Sequence, residues 1–180
     1  MSRLTKAEIA EVPSIYVASL SDYNAGRLHG CWIELGEDTT LEDVEREIAQ
    51  MLRCSPESGA EEWEVHDVDN WPMGLSDQAA RWGLETAVEA GNAIAKHGEA
   101  IAAHYEHSGV WDVNYFKEHY MGTWPSERAF IEDEFTEIMG VEIDPILEPH
   151  IDWDSLTKDI MNSRFDSSTG TTGTHIFFQG

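Results

Sequence analysis

Negative charge in this 180-residue chain is concentrated in two blocks, and any fold must accommodate both of them. Residues 1–70 carry 16 acidic and 5 basic side chains, and residues 111–180 carry 14 and 4. Residues 71–110, which are rich in alanine, carry only five acids and two bases. The pattern therefore predicts two acidic blocks separated by a helical spacer.

The composition indicates a folded protein with a strongly negative field. There are 35 acidic against 11 basic residues, which gives a formal net charge of −24 and a pI near 4.4. Hydrophobic residues make up 41% and aromatic residues 10% of the chain, enough to bury a core, so the charge does not indicate disorder. Such a field repels nucleic acid and anionic membranes and attracts basic surfaces. Neither nucleic acid nor a membrane is therefore an expected partner.

The cysteines and the apolar runs indicate the compartment. Cys31 and Cys54 lie in apolar or helical surroundings, which suits reduced core thiols better than a disulfide. The first residues lack the apolar region of a secretory signal, and no run approaches 18 apolar residues. We expect a soluble cytoplasmic protein.

The first block predicts a β-β-α-β unit. Residues 14–20 and 30–35 are rich in β-branched and aromatic residues and are joined by turn-forming residues, which predicts a hairpin with a long loop. Residues 39–52 predict an amphipathic helix with Thr40 as its N-cap. Residues 61–68 predict a third strand.

Alternation along the third strand assigns its two faces. Trp63, Val65 and Asp67 should lie on one face and the intervening residues on the other.

The rest of the chain predicts mainly helices. The alanine-rich stretch from about residue 75 to residue 108 is predicted to be helical, with interruptions near Gly91 and Gly98. The later elements are three helices and one strand: 111–121, 126–139 ended by Gly140, 154–163, and a last strand at Thr174–Phe178.

These elements predict an α+β fold of three small domains after a short extension. The extension is predicted to be helical, with Thr5 and Glu8 forming a capping box. The predicted parts are an N-terminal extension at 1–12, an N-terminal α/β domain at 13–70, a helical middle domain at 71–110, and a C-terminal α/β domain at 111–180.

The segment "FIEDEFTEIMG" (130–140) raises the main functional question. Ile131, Phe135 and Ile138 share one helical stripe, and the segment contains four carboxylates and no lysine or arginine. Asp133 and Glu137 form a like-charge pair at i,i+4, which costs roughly 0.2–0.5 kcal/mol. Either the surrounding solvent or a binding partner must require this acid.

Other motifs do not predict catalysis or metal binding. His104 and His107 have an i,i+3 spacing that a metal could use, but with no C-x-x-C pair nearby they are better interpreted as helix-end histidines. "HDVDN" (66–70) lacks most ligands of an EF-hand loop. The chain has no G-x-S-x-G, no phosphate-binding glycine loop and no H-E-x-x-H. We expect no catalytic residue, no cofactor and no metal.

The residues alone leave three interpretations of the acid blocks open. They could form an ordinary solvated surface, or reflect adaptation to salt, although adaptation should spread the charge evenly. They could also imitate DNA, because phosphates on one strand stand roughly 7 Å apart and carboxylates on neighbouring helical turns are about 5–6 Å apart at Cβ.

Three stretches, in order along the chain, resemble the ArdA family of antirestriction proteins. "SIYVASLSDYNAGRLHGCWIEL" resembles the family's I-Y-V-A-x-L strand, Y-N-x-G turn and G-x-W strand. "EEWEVHDVDNWP" is similar to its (Y/W)-x-(I/V)-H-D strand, and "PHIDWDSLTKDIMNS" to its C-terminal Y-I-D-(W/Y) stretch. Leu156 stands where many relatives have tyrosine, and the middle is unusually rich in alanine.

This resemblance implies a non-catalytic mimic of bent B-form DNA, carried by mobile genetic elements and acting in the cytoplasm of a bacterial host. Family members form elongated three-domain homodimers that occupy the DNA groove of Type I restriction–modification enzymes, so the expected partner is the methyltransferase core. The C-terminal domain would make the dimer contact through an apolar patch within 111–178. Residues 126–140 lie about where the family's antirestriction motif falls.

The resemblance also suggests why the acidic helix keeps its repulsion: the partner's arginines and lysines would supply the missing cations. Ten acids are expected to act collectively, so single changes should do little. They are Glu42, Asp43, Glu45 and Glu47 in the first block, and Glu132, Asp133, Glu134, Glu137, Glu142 and Asp144 in the third.

Two alternatives are an acidic binding module for another basic DNA-binding partner and a salt-adapted acidic structural domain. An enzyme would need a concave pocket with convergent polar groups, which we expect to be absent.

Overall fold

The computed structural model describes residues 12–79 and 81–179. Over these residues the protein is α+β, with eight α-helices and two three-stranded antiparallel sheets. The chain divides between Ala102 and Ala103 into two compact units. The α+β class is thereby confirmed, but the three-domain arrangement is not and stays a prediction. The predicted extension, with Thr5 and Glu8, lies outside the described residues except at its last position.

The first unit contains the predicted β-β-α-β arrangement, which is confirmed. Its elements are β1 (Ser14–Ser19), α1 (Leu20–Asn24), β2 (Gly30–Glu34), α2 (Leu41–Arg53), β3 (Trp63–Asp69), α3 (Ser76–Ala79), α4 (Leu84–His97) and the start of α5 (Glu99–Ser108). The strand order is β2-β1-β3, so β1 is central. The loop between β1 and β2 holds the short helix α1, which the sequence did not predict.

Helix α2 covers one face of this sheet because its apolar residues recur at helical spacing. Val44, Ile48 and Met51 are buried against Ile15 and neighbouring residues of β1 and β2. The Thr40 side chain caps the helix, as predicted.

Helix α4 also packs on this core, with Val88 buried in the same cluster. The predicted interruption near Gly91 is wrong, because α4 runs through it and ends at Gly98, whose φ of 56° favours glycine. Position 91 has no room for a side chain, since a Cβ there would lie 2.4 Å from Leu35 Cδ1.

A bulge in β3 changes the predicted assignment of its faces. Tyr16 pairs with Asp67 whereas the next residue, Val17, pairs with Val65, so one residue of β3 is unpaired. Val68 therefore joins Val65 in packing on the core, and Asp67 is exposed on the opposite face. The prediction that Asp67 shares a face with Val65 is wrong for this reason.

The second unit contains the rest of α5, a three-stranded sheet and three further α-helices. Its elements are α6 (Val113–His119), β4 (Tyr120–Trp124), α7 (Glu127–Met139), a 3₁₀ turn at Glu148–His150, α8 (Trp153–Arg164), β5 (Phe165–Thr169) and β6 (Thr174–Phe178). The strand order is β4-β6-β5. Helices α7 and α8 and strand β6 match the predicted elements to within one residue.

One prediction about this unit is wrong, and one strand was missed. Residues 111–121 are not one helix, because α6 stops at His119 and the chain continues as β4, in which Tyr120 pairs with Phe177. Strand β5 was not predicted at all, although it pairs with β6 along its whole length. Both strands depend on hydrogen bonds to the end of the chain, which no local pattern reveals.

The core of the second unit lies between α7, α8 and the sheet. Phe130 and Ile131 of α7 are fully buried against Ile160 of α8 and Ile176 of β6. The edge of the Phe165 ring meets Phe130 with centroids 5.0 Å apart. This packing leaves the acidic side of α7 facing outward.

Neither cysteine is a fully buried core thiol. Cys31 is half-buried in β2, and Cys54 is exposed at the end of α2, so the core prediction is wrong for Cys54. Both are free. None of the helices in the described ranges is both long and apolar enough to cross a membrane.

Candidate partner-binding surface

The four predicted acids of the first unit lie in the first two turns of α2. Glu42, Glu45 and Glu47 are exposed, because the apolar stripe of the helix faces the core and these three residues lie outside that stripe. No ion pair reaches these three within residues 12–79 and 81–179. Glu42 and Glu45 lie one turn apart, and all three carboxylates are available to an external cation.

Asp43 differs from its three neighbours because the fold uses it. Its carboxylate accepts hydrogen bonds from the Thr40 backbone N–H at 3.2 Å and the Thr40 hydroxyl at 2.5 Å, closing a capping box, and it pairs with Arg46. These Thr40 bonds, with the Arg46 charge, hold the pKa of Asp43 below its ordinary value. Asp43 therefore mainly stabilises the N-terminus of α2, and its charge is less available to a partner than that of its three neighbours.

The four predicted acids on α7 divide into one paired acid and three unpaired acids. Arg128 donates from Nε to Glu132 Oε1 at 2.7 Å and from Nη1 to Asp154 Oδ1 at 2.9 Å. The bonds to these carboxylates raise the pKa of Arg128. For Glu132, the idea that only a partner supplies the cation is wrong, because an arginine one turn earlier does so.

The remaining α7 acids keep their charge uncompensated. Asp133 and Glu137 are exposed at i,i+4, and Glu134 is half-buried. The described part of the chain brings no lysine or arginine into an ion pair with any of the three. The like-charge pair predicted from sequence is therefore present in the fold.

Glu142 and Asp144 lie after α7, in the segment before the 3₁₀ turn. Both are exposed, and Asp144 accepts a hydrogen bond from the Ile146 N–H at 2.9 Å, which shapes the turn. Next to them, Val141, Ile146 and Leu147 are 57%, 77% and 59% exposed. Acidic and apolar groups thus alternate along this segment.

Sequence reasoning missed a third acidic surface, on the outer face of the first sheet. Strand register places three rows of residues on the face opposite α2: Glu34–Ser14–Asp69, Trp32–Tyr16–Asp67 and Gly30–Ala18–Glu64. All four carboxylates are exposed, and none of these nine positions is lysine or arginine. Alternation in β2 would have revealed Trp32 and Glu34, but the bulge hid Asp67.

Two aromatic rings lie at the centre of this outer face. The Tyr16 and Trp32 ring centroids are 5.3 Å apart with planes tilted by 50°, and Trp32 is 48% exposed. Gly30 permits the arrangement, since a Cβ there would lie 2.7 Å from Tyr16 Cζ. The face therefore offers an aromatic surface bordered by carboxylates.

The second unit also contains a concave cavity, contrary to expectation. It measures about 560 Å³ and is lined by aromatic rings, three histidines and Asp166. His107 Nε2 lies 2.8 Å from Asp166 Oδ2. His104 is 5% exposed and stacked on Tyr115. Burial lowers the pKa of His104, and the charges of the nearby His119 and His107 lower it further. Nowhere in the described residues do three metal-ligating side chains form a group that could hold a metal.

Comparison with known proteins gives one match. A family model described as "Antirestriction protein (ArdA)" matches residues 15–174, nearly the whole chain. The match covers most of both acidic blocks and every position of the outer face of the first sheet except Ser14. No curated protein matches the chain.

Proposed function

The chain belongs to the ArdA family of antirestriction proteins, and from this we propose that it is a non-catalytic DNA mimic for Type I restriction–modification enzymes. It occupies the DNA-binding groove of the methyltransferase core as a homodimer. Its carboxylates take the positions that phosphates would hold.

The observation that carries the proposal is the set of exposed carboxylates without internal cations. Seven of the ten predicted acids have no ion pair or hydrogen bond within the described residues: Glu42, Glu45, Glu47, Asp133, Glu134, Glu137 and Glu142. On helices such as α2 and α7, acids one turn apart stand about 5–6 Å from each other, close to the roughly 7 Å between phosphates of one DNA strand. A cleft that binds phosphates supplies the missing positive charge.

The other three acids contribute less to binding. Asp43, Glu132 and Asp144 already accept hydrogen bonds from Thr40, Arg128 and the Ile146 backbone. A cation of the partner must compete with these bonds. Its interaction with these three carboxylates is therefore weaker than its interaction with the unpaired carboxylates.

Exposed apolar side chains support self-association through the second unit. Val141, Ile146 and Leu147 form a run of exposed apolar groups beside acids, in the region where the family resemblance places the dimer contact. In the proposed dimer this patch is buried against a second copy of the chain.

The test is displacement of labelled DNA from a Type I methyltransferase core, at several salt concentrations. The binding variant neutralises four acids in and beside α7: Asp133→Asn, Glu134→Gln, Glu137→Gln and Glu142→Gln. The matched control removes the same charge from the acid-poor stretch: Asp77→Asn, Glu85→Gln, Glu89→Gln and Glu106→Gln. Both sets avoid every carboxylate for which the described structure gives an ion pair.

We expect wild-type protein to displace DNA at about one dimer per enzyme, less well as salt rises. At about 0.2–1 kcal/mol per exposed carboxylate, the binding variant should lose from about fourfold to several hundredfold in affinity, and the control much less. Equal losses in both variants would show that only net charge counts. No displacement at low salt would exclude this target and favour another basic partner.

A further inference from the structure

The outer face of the first sheet combines two features that a purely electrostatic decoy does not need. Its centre is aromatic, with Trp32 half-exposed beside Tyr16 on the central strand. Carboxylates border this pair on both outer strands, at Glu34 on β2 and at Asp67 on β3. Helix α2 packs on the opposite face, whereas Trp32, Glu34 and Asp67 on this face are exposed.

Arginine is the side chain that fits both features. Its planar guanidinium stacks on aromatic rings and bonds carboxylates through two parallel N–H donors, whereas the lysine ammonium is a compact, strongly hydrated point charge. Neighbouring strands stand about 4.8 Å apart, so a guanidinium above Trp32 or Tyr16 lies within side-chain reach of Glu34 and Asp67.

We propose that this outer face is a docking surface for arginine side chains of the basic partner, with Trp32 and Tyr16 receiving the guanidinium planes and Glu34 and Asp67 accepting their hydrogen bonds. The proposal rests on the proposed function for the identity of that partner, the DNA groove of the restriction–modification enzyme. Arginines in such a groove bond phosphates and stack on bases. Here the carboxylates substitute for phosphates and the two rings substitute for bases.

Charge complementarity argues for a basic partner at this face. The four carboxylates of the three rows repel nucleic acid and anionic surfaces, and the face has no cation of its own at these positions. The exposed ring of Trp32 gives that partner an apolar surface to cover. A second copy of the chain would place like charges opposite each other.

The test compares tetra-arginine and tetra-lysine peptides, which carry the same charge, against the full chain. Affinity is measured by calorimetry, and the Trp32 indole N–H resonance is followed by NMR. We expect the arginine peptide to bind between about twofold and fivefold more tightly, the effect of one exposed guanidinium–ring contact. The Trp32 resonance should shift with that peptide first.

Two variants separate ring stacking from charge. Trp32→Thr keeps a strand-forming residue and the net charge, and should abolish the arginine preference while leaving lysine-peptide affinity unchanged. Glu34→Gln with Asp67→Asn should weaken both peptides more than Glu85→Gln with Glu89→Gln, which removes the same charge from the acid-poor helix α4. Since the peptide comparison on wild-type protein needs no substitution, a misfolded variant does not decide the result.

Several outcomes would overturn the proposal. Equal affinity for the two peptides, with an unchanged Trp32 resonance, would exclude arginine docking; DNA displacement by the same wild-type protein would still support the proposed function. If Trp32→Thr dissociated a dimer, the outer face would be assigned to a second copy of the chain. If NOEs joined the Trp32 indole to residues 1–11, the outer face would be assigned to the chain's own N-terminus. Arginine preference at Trp32 without DNA displacement would instead refute the proposed function and keep the docking surface.

Discussion

Replacing Gly91 by alanine tests the packing of α4 against the first sheet. Gly91 is buried in the middle of α4, with Leu35 directly against it. A Cβ at this position would lie 2.4 Å from Leu35 Cδ1 and 2.5 Å from Leu35 Cβ. Leu35 itself is fully buried, so it has little room to withdraw.

Two opposing effects determine the stability of the Gly91→Ala variant. Alanine is favoured over glycine in a helix interior by about 1 kcal/mol. Overpacking a filled core costs typically 1–3 kcal/mol. Because one of the close contacts is to Leu35 Cβ, rotation of that side chain alone does not relieve it, so the cost belongs in the upper half of this range. The net expectation is destabilisation by about 1–2 kcal/mol.

The assay is urea unfolding followed by tryptophan fluorescence and far-ultraviolet circular dichroism. Gly83→Ala is the matched control, because Gly83 precedes the same helix with φ −63° and no atom within 4 Å of its Cβ position. Since Gly83 is the N-cap of α4, where alanine is less favourable than glycine, the control should lower the free energy of unfolding by no more than about 1 kcal/mol. If Gly91→Ala proved more stable than wild type, helix propensity would dominate and the described contact with Leu35 would be wrong.

Two further predictions concern buried titratable groups. Burial raises the pKa of Asp22, but hydrogen bonds from Ser55 and Ser19, with the nearby Arg27, lower it overall. The Asp22→Asn variant should therefore be less stable than wild type above the unfolded-state pKa of about 3.9. The difference in stability should shrink as the pH falls through the lower folded-state pKa. For His104 the folded-state pKa is lowered, mainly by burial, so wild-type stability should fall as pH drops below the unfolded-state pKa of about 6.5. Denaturant titrations between pH 4 and pH 8 should show a weaker dependence in His104→Gln, and an unchanged slope would refute the assignment of a buried neutral imidazole.

Sequence alone determined the elements whose signals are local. Thr40 and Ser126 cap α2 and α7 with their own side chains, and Gly140 ends α7 in the left-handed conformation. The apolar stripe of α2 needs only helical spacing to be recognised. The order of acidic blocks and the family resemblance likewise required no tertiary information.

Only the tertiary structure decided which acids already have partners. Arg128 reaches Asp154, 26 positions away, as well as Glu132 on its own helix. The i,i+4 spacing of Arg128 and Glu132 is visible in the sequence, but the bond from Arg128 to Asp154 is not. Pairing of this kind depends on how α7 packs against α8.

Strand register is the other property that the chain could not reveal by itself. One unpaired residue in β3 moves Asp67 from the core side to the outer face, because side chains alternate with a period of two. Strands β4 and β5 exist only through hydrogen bonds to β6, far away in sequence. Local patterns encode caps and amphipathic faces, whereas strand pairing and the surface it creates depend on contacts between distant residues, and these form only when the whole unit folds.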